Sequence, residues 1–94
     1  RQLRAHAHAL RPIVTVAGKG LSASVLAELE RALNDHELIK VRVSVGDREQ
    51  RDAAIVSLCD HSGAYLVQRI GNIATLLRHN PKADPRKSNL HRSQ

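Results

Sequence analysis

The chain has 94 residues with an apolar fraction of 41%, enough for one modest core and too little for two. Its formal charge of +6, pI near 10.5 and single aromatic residue, Tyr65, point to a polyanionic partner such as RNA, DNA or an anionic surface. A binding mode built on stacked bases needs more rings than one.

Helix-forming Ala, Leu and Arg fill Gln2 to Leu10, and Pro12 ends that helix because the residue before a proline disfavours helical dihedrals. Arg1, Arg4, His8 and Arg11 recur along it at three- and four-residue steps and so form one stripe. That stripe reads equally well as a solvated face or a phosphate contact. The β-branched run Ile13 to Ala17 is a short buried strand that stops at Gly18. Gly18-Lys19-Gly20 is a turn, Ser22 is placed to cap a helix over about Ala23 to His36, and Val25, Leu29, Ala32 and Leu33 form its apolar stripe. Glu28, Glu30 and Arg31 on the other face are read as solvent-exposed.

Leu38 to Val45 alternates, with Ile39, Val41, Val43 and Val45 toward a core and Lys40, Arg42 and Ser44 on the opposite face. Gly46-Asp47 breaks this strand and Asp47 caps a helix over about Arg48 to His61, whose buried stripe takes in Ala54, Ile55, Leu58 and Cys59. Tyr65 to Ile70 and Ile73 to Arg78 flank Gly71-Asn72, a two-residue hairpin loop of the kind that favours positive φ. Beyond residue 80 the composition turns to Pro, Ser, Asn and charge, so residues 1–80 are expected to form one domain and 81–94 a basic, disordered tail. The order α-β-α-β-α-β-β implies an α+β fold: a four-stranded mixed sheet packed with three helices, its crossovers right-handed.

No apolar run approaches the roughly 20 residues of a membrane-spanning helix, and no secretory leader pattern is visible. Neither a membrane partner nor an extracellular location is expected. Cys59 has no second cysteine for a disulfide or zinc site, which fits the cytoplasm, and it reads as a small buried hydrophobe because no neighbouring motif activates it. His6 and His8 lie two apart on a helix and point in different directions, and the other histidines are scattered, so no metal site is expected. The carboxylates show no pairing suited to acid–base work, neither G-x-x-x-x-G-K-[ST] nor G-x-G-x-x-G occurs, and neither catalysis nor a cofactor is expected.

The loop Gly18-Lys19-Gly20 is the feature with binding chemistry in it. It leads from a strand into a helix start, where the helix dipole favours an anion; glycines permit close approach and Lys19 adds a mobile positive charge. A plain strand-to-helix turn is the equally weighted alternative.

Leu10 to Ser22, Val25 to Glu30 and His36 to Val43, with Gly63-Ala64, Ile70-Gly71 and Arg78, resemble the bacterial YhbY family, the stand-alone form of the CRM domain. The resemblance covers about residues 3 to 79. It implies a fold similar to the C-terminal domain of translation initiation factor 3, an RNA partner, and, as in bacterial members, association with precursors of the large ribosomal subunit. The family's G-x-x-G loop falls on Ala17-Gly18-Lys19-Gly20, so its first glycine is replaced by Ala17 and Gly20 is the firmer match. Asn72 and Leu77 stand where the family often has a lysine and a tyrosine.

The expectation is therefore a monomeric RNA-binding domain that contacts ribosomal RNA of the precursor large subunit. Its contacts would be Gly18, Lys19 and Gly20, then Arg1, Arg4 and Arg11, with Lys40 and Arg42 as weaker candidates on a face that the first helix could cover. The alternatives are a module docking on ribosomal proteins, a DNA-binding domain and a nuclease.

Overall fold

The structure, a computed structural model, describes residues 7–18 and 20–90. Strand β1 (Pro12–Ala17) leads through the glycine loop into helix α1 (Ala23–His36), then strand β2 (Leu38–Ser44), helix α2 (Arg48–Ser62) and the hairpin β3 (Tyr65–Ile70) and β4 (Ile73–Leu77). The sheet order is β1-β2-β4-β3, with β1 parallel to β2 and the other neighbours antiparallel. The crossover from β2 through α2 thus leaves one position open, and β4 fills it. These elements form a single compact α+β domain with a mixed four-stranded sheet. The third helix expected at Gln2–Leu10 lies mainly outside the described residues; at its end the Leu10 N–H donates to the Ala7 carbonyl at 2.9 Å.

Local chemistry explains where the helices begin. The Ser22 side chain accepts from the Val25 N–H, and α2 opens on a full capping box in which Asp47 and Gln50 each bond the other's backbone N–H. Helix α2 ends on Gly63, whose φ of 73° is the usual left-handed stop. In the hairpin Gly71 takes the positive φ expected of the loop, as the first central residue of a II′ turn does, and Asn72 does not.

The two sheet faces carry different loads. Val14, Val16, Ile39, Val41, Val43, Ala74 and Leu76 pack beneath Leu29 and Leu33 of α1 and Ile55 and Leu58 of α2, and each fully buried leucine contributes about 2 kcal/mol of burial. Cys59 packs against this core, and burial, with Asp60 adding to it, raises its thiol pKa, so it stays protonated as a small apolar filler. On the other face a smaller cluster of Ala7, Leu38 and Leu77, joined by Leu10, Val67 and Leu90, covers one end of the sheet.

Leu90 in that cluster marks a departure from expectation. Residues 80–90 are not a loose tail: the Asn80 N–H and the Ser88 hydroxyl donate to the carboxylate of Glu37, Asn89 bonds the Leu38 carbonyl at 2.7 Å, and His36 Nδ1 meets the Lys87 carbonyl at 2.7 Å. The tail lacks an apolar period because hydrogen bonds to a buried charge, rather than an apolar stripe, hold it. Residues 91–94 lie outside the described residues. Glu30 faces solvent as expected, and it also carries an ion pair. Its carboxylate is clasped by both Nη atoms of Arg78 at 2.9 Å, and Arg78 also bonds the Ser62 carbonyl and Asn34, tying the end of β4 to both helices.

Candidate nucleic-acid interface

Three turns meet at one end of the sheet. Ala17 at the end of β1 is level with Ser44 at the end of β2, Arg42 is opposite Ile73 at the start of β4, and the Val43 N–H donates to the Asn72 carbonyl at 2.7 Å. The glycine loop, the Gly46-Asp47 turn and the hairpin tip therefore form one rim.

A cavity of about 410 Å³ opens along this rim. Gly18, Gly20 and Leu21 form one wall, and Gly46, Gln50, Ala53 and Ser57 form the other. Glycines and short side chains make up most of its lining, beside Leu21, Val45 and Gln50, a surface that another polymer's backbone can approach closely. Gly18 and Gly20 have φ of 60° and 91°, and a Cβ added at either would meet nothing within 4 Å, so the dihedrals rather than crowding call for glycine here. The Gly20 N–H donates to the Ala17 carbonyl at 3.1 Å and closes the turn, so this amide is committed within the loop. No acidic residue stands in the first turn of α1, leaving its positive dipole end uncompensated beside the cavity. Lys19 lies outside the described residues.

The other expected contacts are not gathered here. Arg11 is exposed but precedes β1, whose six residues separate it from the glycine loop by about 20 Å. Arg1 and Arg4 lie outside the described residues. Lys40 and Arg42 share the open sheet face, where Arg42 is exposed and Lys40 is half-buried with its Nζ 3.5 Å from the His8 carbonyl. The N-terminal segment thus covers Lys40, while Arg42 stands at the level of Thr15 and Ile73, toward the rim.

Three arginines that the sequence reading passed over stand at this same end. Arg48, Arg51, Arg69 and, at the hairpin end, Gly71 line a second cavity of about 290 Å³. Arg48 and Arg51, three apart on one helix, carry a signal that the sequence does show. Arg69 joins them only through the hairpin's position in the sheet. Among the described residues no group of three His, Cys, Asp or Glu could hold a metal ion, and no helix is long and apolar enough to cross a membrane.

The model of the CRS1/YhbY (CRM) domain matches residues 1–78. The chain belongs to the CRS1/YhbY (CRM) domain family. Among relatives of this CRM domain is a candidate RNA-binding protein of Pseudomonas aeruginosa, 48% identical over 92 residues, with 98% of this chain and 88% of that protein covered. An RNA-binding protein of Haemophilus influenzae is 46% identical, with 90% and 89% covered. The solution structure of a Staphylococcus aureus protein, a candidate RNA binder, has a TM-score of 0.77 at 26% identity and covers 89% of this chain and 88% of that one. The family match stops at Arg78, so the segment that wraps Glu37 lies beyond it.

Proposed function

We propose that this CRM domain binds RNA by its backbone at the glycine-loop rim, with Lys19 and the loop as the first contact, and that it serves assembly of the large ribosomal subunit. The observation that carries this reading is the cavity between Gly18-Gly20 and Gly46-Gln50, lined mostly by glycines and short side chains beside an uncompensated helix start. The charge of +6 supplies long-range attraction, and the relatives named for RNA binding supply the choice of RNA over other polyanions. The site holds rather than transforms its partner, as a monomer in the cytoplasm. Arg1, Arg4 and Arg11 extend the contact along the N-terminal segment, and Arg42 extends it on the open face.

Binding of the full chain to fragments of large-subunit ribosomal RNA, across a salt series and against matched DNA, tests the proposal. The expected result is preference for RNA and a fall of about 0.7 log units in affinity per log unit of salt for each phosphate contacted on a single strand. Salt-insensitive binding, or equal binding of DNA, would overturn it and direct the search to ribosomal proteins.

A further inference from the structure

We propose that the cavity bounded by Arg48, Arg51, Arg69 and Gly71 is a second phosphate site, distinct from the glycine loop. Resting on the RNA reading above, its ligand is a further phosphate of the same RNA backbone. Arginine suits this task because its planar fork of donors matches two oxygens of a phosphate at once.

The heads are held in place without being used up. Arg51 Nη1 donates to the Gly46 carbonyl at 3.2 Å on one wall, while its buried Nε has no partner among the described residues. Arg69 Nε donates to the Gly71 carbonyl at 3.2 Å on the other wall. The Arg48 side chain makes no hydrogen bond among the described residues and is exposed. One carboxylate, Asp52, engages Arg69, and neither Arg48 nor Arg51 forms an ion pair among the described residues. The cavity therefore keeps a positive excess.

Space and position fit the same ligand. A Cβ at Gly71 would meet nothing within 4 Å, so the hairpin end of the cavity is open. The Gly46 to Arg51 segment separates the two cavities, with Gly46 and Gln50 facing the glycine-loop side and Arg48 and Arg51 facing this one. A polymer lying along the rim crosses both. Small basic domains gain affinity from each phosphate neutralised, and two fixed points also set the polymer's direction.

The test uses the full chain and two probes. Titration with inorganic phosphate, followed by the arginine Nε–H resonances, is expected to shift Arg48 and Arg51; absence of a shift overturns the site. In the RNA salt series, Arg48→Gln with Arg69→Gln is expected to lower the slope by about 0.7, the worth of one single-strand phosphate, while Arg86→Gln, on an exposed residue distant in sequence from the cavity, leaves it unchanged. Arg69→Lys, which keeps the charge and loses the fork, separates bidentate recognition from charge alone, and circular dichroism checks that each variant is folded. If the wild-type chain binds RNA and the double variant shows the same slope and affinity, this site is overturned and the glycine-loop reading stands. If the wild-type chain does not bind RNA, both the RNA reading and this backbone assignment fail, whatever phosphate does.

Discussion

Ser88 and Glu37 are 51 residues apart in the chain, and the Ser88 hydroxyl donates to the buried Glu37 carboxylate at 2.7 Å. Glu37 links α1 directly to β2 with a φ of 64°, a strained value for a residue with a Cβ, costing on the order of 1 kcal/mol. A charge held in that position must be met by donors, since a buried carboxylate deprived of its hydrogen bonds is costly. The C-terminal segment brings two of them, the Asn80 N–H and the Ser88 hydroxyl.

Ser88→Ala is accordingly expected to lower stability by about 2 kcal/mol, the usual worth of a hydrogen bond to a charged group. Removal of residues 80–94 should cost more, about 3 kcal/mol or above, since it strips both donors and uncovers Leu38. Urea denaturation midpoints measure both. An unchanged midpoint in Ser88→Ala would show that the segment does not hold the carboxylate.

Arg78 ties the end of β4 to both helices. Its guanidinium joins Glu30, Asn34 and the Ser62 carbonyl, and Arg78→Ala is expected to cost about 1 to 2 kcal/mol, kept modest because the Glu30 side chain is 55% exposed and its ion pair is screened. Fluorescence is unsuited to a chain without Trp, so thermal melts followed by circular dichroism are the measurement.

The same pair sets a pH dependence. The Arg78 hydrogen bond holds the Glu30 carboxyl below the usual carboxylate range, against a smaller opposing push from burial. The pair's stabilisation is complete above the unfolded carboxyl's titration and is lost as pH falls through the lowered folded value. Melting temperatures taken from neutral to acid pH should show this loss in the wild-type chain and a shallower one in Arg78→Ala; identical acid limbs would remove Glu30 from the account.

Gly46 has φ of 38°, and a Cβ there would collide with the Gln50 side chain that completes the α2 capping box. Gly46→Ala is expected to destabilise by about 2 kcal/mol, combining the left-handed backbone with a weakened cap. Gly46→Ala with Gln50→Ala should then lose less than the two single changes summed, because the clash is gone. A double-mutant cycle by urea denaturation reads this directly.

Lys19→Ala is expected to weaken RNA binding and reduce the salt slope by about 0.7 without lowering the melting temperature. Gly20→Asp adds a repelling charge and a strained φ, so it should weaken binding further while costing on the order of 1 kcal/mol. Binding unchanged in both would take the loop out of the mechanism.

Local chemistry in the sequence was enough to place the strands and the two described helices to within about a residue, because β-branched runs, a clean alternation, Ser22 and Asp47 caps and Gly71 each act over a few neighbouring residues. It also located the glycine loop between a strand and a helix. Three other matters depended on the tertiary structure. The order of residues 80–90 rests on a carboxylate more than forty positions earlier, so no local pattern announces it. Arg78 stands out in the sequence only by its family resemblance, and its contacts appear when β4 sets it beside Glu30 and Ser62. Arg69 meets Arg48 and Arg51 only because β4 fills the gap left beside β2 and carries β3 to the sheet edge next to α2. Propensity and capping are short-range and legible along the chain; hydrogen bonds to buried charge and the grouping of like charges in a cavity are fixed by which strands pair, and pairing is decided by the whole core.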